Sequence, residues 1–386
     1  MKQIIVDFGT LHLLGGEFPL RIYGYGLMLV LGFLTAIFLA QWRARRNGEN
    51  PEVYAQVGLL AVIGGILGAR LAYVIQHWEQ FSESENLLGE MFNVTSGGLI
   101  YYGGLVMAAL MVVGYLLLKK VPLRRYLDIV SVSIMVGLAF GRAGCLLNGC
   151  CYGANTDNHY MLGMTFPMYS QPLWKVDSSP GPFSAGTDAP SPVYSKQYAN
   201  HEVVPPPELM KTLEDGRTRL MVPREFQNDP KLNAIAQAQH SHVVKPSQAI
   251  GIVNALLLAV ILALFYRLRR REGQVFALLF ILYPITRFFE ELIRDDNAHD
   301  LAAGIFTHNQ YTSMVLLAAG IVLMLVIRKL PASCGPAWKE RLAMGLGRSS
   351  ASVSPHGRSA VGANSPSTES ARKPKMNKNA HKGPRR

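Results

Sequence analysis

Seven stretches of about 20 mostly apolar residues recur along this chain, and that recurrence excludes most folds. They cover residues 22–42, 53–78, 99–118, 126–147, 246–266, 273–293 and 310–327. A backbone in hydrocarbon has no water to bond, so each run must satisfy its polar groups internally, as a helix does. The expectation is an all-α, polytopic membrane protein with seven transmembrane helices. With 49% hydrophobic and only 17% charged residues, the chain is also too apolar for an ordinary soluble protein of its length. The first twenty residues contain Asp7 and Glu17 and lack both a basic n-region and a continuous apolar h-region. A cleavable signal is therefore not expected, and insertion should begin with the first span.

The short connections divide sharply by charge. One set carries Arg43, Arg45, Arg46, Lys119, Lys120, Arg124, Arg125, Arg267, Arg269, Arg270, Arg271, Arg328 and Lys329, whereas the opposite set holds only Lys2, Arg21 and Arg294. Positive loops stay inside, which predicts an outward N-terminus and a cytoplasmic C-terminus. Four regions follow: spans one to four in residues 1–153, an extracytoplasmic insertion at 154–245, spans five to seven in 246–330, and a cytoplasmic tail at 331–386. The insertion is rich in Pro, Asn, Asp and Ser and reads as irregular, with short helices near 207–215 and 231–240. The tail has the composition of a disordered segment and carries net +9 of the chain's +12. Basic charge confined there suits anionic lipid headgroups, so nucleic acid is not an expected partner.

The same orientation gathers polar residues at the outer ends of the spans. Tyr23 and Tyr25 open the first, Arg70 closes the second, Gly98 and Tyr102 open the third, and Arg142 to Asn148 close the fourth. Ser247 and Gln248 open the fifth, Arg287 to Arg294 close the sixth, and His308 and Gln310 precede the seventh. The cytoplasmic ends, by contrast, show only basic flanks. This pattern predicts a cavity in the outer half of the bilayer. Its densest part is residues 141–153, Gly-Arg-Ala-Gly-Cys-Leu-Leu-Asn-Gly-Cys-Cys-Tyr-Gly, where a span runs into an arginine, an asparagine, cysteines and glycines. An arginine deep in a span costs about 2.5–3.5 kcal/mol on insertion scales, so Arg142 should face a protein interior or a wet cavity with a partner, unless it merely snorkels to the headgroups.

Four arginines, Arg70, Arg142, Arg287 and Arg294, are then expected around one cavity, and their planar donors suit a phosphate. Within a bilayer, phosphate means lipid headgroups, so a phospholipid is the expected substrate. Arg287 and Glu291 are four residues apart and could instead simply pair along their helix. Cys145, Cys150 and Cys151 do not form a spaced disulfide framework, and no second Cys or His pair lies at ligand spacing, so a metal site is not expected.

These residues resemble the prolipoprotein diacylglyceryl transferase family across all seven runs. Tyr25-Gly26-Leu27-Met28 resembles its Tyr-Gly-Leu-Met, and Gly68-Ala69-Arg70-Leu71-Ala72-Tyr73 its Gly-Gly-Arg-x-x-Tyr, with Ala69 for the second glycine. Gly141-Arg142, Gly144, Asn148 and Gly153 follow its signature Gly-Arg-x-Gly-Asn-x-x-Asn-x-Glu-x-x-Gly. Pro246-Ser247-Gln248 and the set Arg287, Glu291 and Arg294 match further motifs. Three departures fall within the site: Cys145 replaces the first signature Asn, Cys150 replaces the Glu, and Tyr102 replaces the His of His-Gly-Gly. The insertion is also longer than the family's usual loop.

The resemblance implies transfer of a diacylglyceryl group from phosphatidylglycerol to the lipobox cysteine of a preprolipoprotein signal peptide, in a bacterial inner membrane, with glycerol phosphate leaving. It implies Tyr102, Arg142, Arg287 and Glu291 as catalytic, and Arg142, Tyr25, Asn148, Gly98, Gly153 and Arg294 as lipid-binding. No cofactor is expected, because the leaving group is already a phosphodiester oxygen. The replaced positions leave open a degraded relative that only binds lipid or signal peptides. They also leave the base open, since a phenol, with a pKa near about 10, takes a proton poorly at neutral pH. Either the arginines lower the pKa of Tyr102, or their field favours the substrate thiolate directly.

Overall fold

The structure is a computed structural model that describes residues 3–13, 16–82, 87–92, 98–157, 160–169, 190–213, 216–226, 228–294, 306–333, 335 and 340. The tail expected at 331–386 therefore lies almost wholly outside the described residues.

The chain begins with strand, not helix. β1 (Ile4–Leu13) and β2 (Gly16–Tyr23) pair antiparallel, with Ile4 opposite Tyr23 and Leu13 opposite Gly16. The β-branched run Ile4-Ile5-Val6 favours a pleated backbone, a local signal that the span-length periodicity hides. The hairpin is tied to the bundle where the Gly24 N–H donates to the Gln3 carbonyl at 2.7 Å.

Beyond it the chain is mostly helical: α1 (Gly24–Arg46), α2 (Glu52–Gln76), the short α3 (Trp78–Ser82) and α4 (Leu87–Phe92), then α5 (Tyr101–Leu118) and α6 (Leu123–Asn148). The insertion contributes α7 (Pro192–Ala199), a 3-10 turn at Pro207–Leu209, β3 (Met210–Thr212), β4 (Thr218–Leu220), α8 (Pro223–Phe226) and α9 (Pro230–Ala238). The long helices α10 (Ser247–Leu268), α11 (Gln274–Ile293) and α12 (His308–Lys329) complete it.

Six of these helices, α1, α2, α5, α6, α10 and α12, are long and apolar enough to cross a membrane, which makes this a multi-pass membrane protein. The seventh expected run does form a helix, α11, but Arg287, Glu290 and Glu291 crowd its last two turns. Length and apolarity therefore identify six spans, one fewer than expected.

Helix pairs α1–α6, α2–α5, α6–α10 and α11–α12 make the principal contacts. Small residues permit the closest of them: a Cβ on Gly68 of α2 would lie 2.5 Å from the Gly103 carbonyl oxygen of α5. The basic end of the bundle is not merely basic. Asp128, fully buried, pairs with Arg269 at 2.7 Å and accepts from the Gly273 and Phe276 N–H groups, capping α11. Arg125 pairs with Glu49 at 2.7 Å and Glu272 at 2.6 Å. The expectation of simple basic flanks is corrected here: buried acids compensate part of that charge and lock α6 onto α11.

The insertion is corrected too. Its described residues form a folded unit around Met168, Tyr169, Tyr194, Leu209, Leu220, Phe226 and Ala236, all buried. Its elements are too short to show a period, which is why its sequence reads as irregular. The helix expected near 231–240 is α9, whereas the one expected near 207–215 is only a 3-10 turn leading into β3.

Candidate active site

Helix direction alternates through the bundle, so the starts of α1, α5, α10 and α12 share one end with the closings of α6 and α11. There Arg142 leaves the last two turns of α6 and reaches Glu290 on α11, with Nη2 3.1 Å from Oε2; both side chains are about nine-tenths buried. Glu290 Oε1 accepts from Asn254 Nδ2 on α10 at 2.7 Å, which fixes the carboxylate that orients the arginine. Gly251, one turn earlier on α10, provides the space: a Cβ there would sit 3.0 Å from Arg142 Nε.

A second pair lies one face away on α11. Arg287 Nη1 is 2.7 Å from Glu291 Oε2, the i, i+4 ion pair expected from their spacing. Glu291 is held from α12 as well, since its Oε1 accepts from Thr307 Oγ1 and Asn309 Nδ2, each at 3.0 Å. Thr307 in turn forms a capping box with Gln310 at the start of α12. Tyr283, partly buried, lies about one turn before Arg287 on α11. Tyr102 itself is partly exposed and packs edge-on against His308 of α12, ring centroids 5.0 Å apart.

Two arginines with fixed carboxylate partners, at the end of the bundle opposite Asp128 and Arg125, present planar donors that can hold a phosphate diester. That arrangement lies within a span-length match to one family. The family model for prolipoprotein diacylglyceryl transferase matches residues 13–326. The chain belongs to the prolipoprotein diacylglyceryl transferase family. A phosphatidylglycerol–prolipoprotein diacylglyceryl transferase of Rhodopirellula baltica is 28% identical over 365 residues, covering 81% of this chain and 74% of its own. Relatives with the same name are 26% identical: one from Clostridium tetani, covering 81% of this chain and 95% of its own, and one from Bdellovibrio bacteriovorus, covering 89% and 100%.

Against that family signature, the structure distributes the expected residues unevenly. Arg142 pairs with Glu290 and Arg287 with Glu291 on the last turns of α11, and Tyr102 packs on His308, which follows the Thr307 that donates to Glu291. The Arg70 guanidinium donates to the carbonyls of Met91, Gly98 and Glu90 at 3.0, 3.2 and 2.6 Å, and lies 5.4 Å from the ring centroids of Tyr73 and Phe81. These bonds clamp Gly98 to α4, a role for Arg70 that the sequence does not reveal. Gly98 is part of the same clamp, with a left-handed φ of 71° and the Tyr73 ring where a side chain would be. Gly153 is likewise a crossing point: a Cβ on it would lie 2.6 Å from the Lys245 carbonyl oxygen and 3.1 Å from that of Ile293. Arg294 bridges to Gly153 through the backbone. Asn148 ends α6, and its carbonyl accepts from Gln3 Nε2 at 3.5 Å. Tyr25 lies against Gly144.

Sequence reasoning gave no role to Glu290 and Asn254. Glu290 lies within one turn of Arg287 on the same helix, and a buried acid beside an expected buried arginine was the available signal. Cys145, Cys150 and Cys151, which carry no expected metal role by spacing, have sulfurs that all lie within 4.8 Å of one another.

Proposed function

We propose that this chain transfers the diacylglyceryl group of phosphatidylglycerol to the lipobox cysteine thiol of preprolipoproteins in a bacterial inner membrane. The observation that carries the reading is the buried quartet Arg142–Glu290 and Arg287–Glu291, fixed from α10 and α12 at one end of an apolar bundle. In this reading α11 is the seventh span, the quartet lies in the outer leaflet, and the basic end is cytoplasmic.

Arg142 and Arg287 hold the lipid phosphate and stabilise it as it departs; Glu290 and Glu291 set their geometry. The attacking sulfur forms a thioether with the glyceryl carbon as the carbon–oxygen bond to phosphate breaks, so glycerol phosphate leaves as an anion between the arginines. Arg294 and Tyr25 border the path to that phosphate, and Tyr102 donates a hydrogen bond at its edge. The test is mass spectrometry of a lipobox peptide incubated with the protein in phosphatidylglycerol vesicles. The diacylglyceryl adduct is expected; peptide binding without any adduct would leave only the binding relative.

A further inference from the structure

The nucleophile in the proposed reaction is a thiol, which has to reach the glyceryl carbon as a thiolate. Tyr102 is a phenol, and the two nearest acids, Glu290 and Glu291, are each engaged by an arginine. Three thiols cluster at the end of α6, just beyond Arg142 in the chain. Their clustering is built by the backbone. Gly149 ends α6 in a left-handed turn with φ 72°, and the Cys150 N–H returns to the Cys145 carbonyl at 3.1 Å. Cys151 follows with φ 60°, a region that a residue with a Cβ rarely adopts and that needs support from its surroundings. The support comes from α10: Ser247 Oγ donates to the Cys151 carbonyl at 2.5 Å and Gln248 Nε2 to the Cys150 carbonyl at 2.9 Å. Both donors are buried, Gln248 completely. The outcome is three free, partly buried thiols with every sulfur within 4.8 Å of the others.

We propose that Cys145, Cys150 and Cys151 hold a zinc ion whose fourth position takes the substrate cysteine as thiolate. This deepens the transferase reading and rests on it. Zinc lies about 2.3 Å from thiolate sulfur, so three ligands of a tetrahedron are roughly 3.8 Å apart, and the cluster closes on the ion by about 1 Å at most. Three protein ligands with one open position is the arrangement of a reactive zinc site rather than a closed structural one.

The chemistry fits the reaction. The incoming thiol displaces the zinc-bound water and gives its proton to solvent, leaving a zinc thiolate at neutral pH without a side-chain base. Four thiolates on one zinc carry two net negative charges, which keep the sulfur nucleophilic. The sulfur attacks the glyceryl carbon, the carbon–oxygen bond breaks with its electron pair going to glycerol phosphate, and the neutral thioether, a weak ligand, yields its place to water.

The test uses the full chain purified in detergent. Expected are a single zinc per chain after dialysis against a weak chelator, and X-ray absorption showing three sulfurs and one light atom. Adding lipobox peptide should change that to four sulfurs, and a Ser-for-Cys peptide should not. Cys145→Ser, Cys150→Ser and Cys151→Ser should each lower zinc retention at least tenfold. Should these variants fail to fold, cobalt substituted into the unaltered protein gives the same reading, through a thiolate charge-transfer band that shifts with the Cys peptide alone. Three thiols fully reactive toward a disulfide reagent in a metal-free, active enzyme would overturn the proposal, as would a zinc whose ligands do not change with peptide. Zinc that gains the peptide sulfur without any adduct forming would instead keep the site and remove the transferase reading.

Discussion

At the scale of single residues, the site is a matter of which arginine has which partner. Arg142 is bound on one side by Glu290, and lysine in its place has one ammonium where the guanidinium has a planar fork able to serve a carboxylate and a phosphate together. Arg142→Lys should therefore insert normally but lose about 2–3 kcal/mol of transition-state stabilisation, roughly 30- to 150-fold in kcat/KM. Near-normal transfer in vesicles would remove Arg142 from the phosphate site. Tyr102 is a milder case, because its ring rests on His308 at the edge of the cluster and offers one hydroxyl. Tyr102→Phe should cost on the order of tenfold, one hydrogen bond of about 1–1.5 kcal/mol, and Tyr102→His should keep or raise the rate near neutral pH. A complete loss in Tyr102→Phe, with an alkaline optimum in the unaltered enzyme, would make Tyr102 the base instead.

At the scale of elements, the insertion is stitched by one carboxylate. Glu225 of α8 receives both arms of Arg219, from β4, at 2.7 Å each, together with Lys211 Nζ of β3 at 2.7 Å and the Val222 N–H at 2.9 Å. Arg219 first, then Lys211 and the backbone donor, pull its carboxyl down to about 2. Its contribution to stability is thus fully present above the unfolded carboxyl value of about 4.3 and is lost as pH falls toward 2. Limited proteolysis of the insertion across that window should show protection fading in the unaltered protein. Glu225→Gln should flatten this acid dependence and lower protection at neutral pH; an unchanged profile would mean that other carboxylates govern the unit. The same elements show where sequence is a poor guide. Long helices declare themselves by twenty apolar residues, but β3, β4 and α8 are three or four residues each, too short to show a period.

At the scale of the whole molecule, every expected span was legible as a helix, because hydrocarbon imposes one solution on an apolar run. The site was legible only in part. Arg142 and Arg287 could be placed by the cost of burying charge, but the same reasoning placed Arg70 with them, since a sequence does not say whether a buried arginine serves a ligand or nearby carbonyls. The basic C-terminal tail should matter little to chemistry at the other end of the bundle. Arg125 donates to Ser333 and Gly335, so truncation after Gly335 keeps those contacts, and deletion of residues 336–386 should leave transfer within about twofold of normal. Loss of activity in a truncated chain that still inserts would assign the tail a function. The insertion raises a different issue of scale. It leaves and rejoins the bundle at adjacent points, with the Gly153 N–H donating to the Lys245 carbonyl at 3.2 Å and the Lys245 N–H to the Ala154 carbonyl at 3.0 Å. A unit attached by such a narrow stem can grow, shrink or be exchanged for another with neighbouring termini while the helices keep their places, so its size is free to vary independently of the bundle.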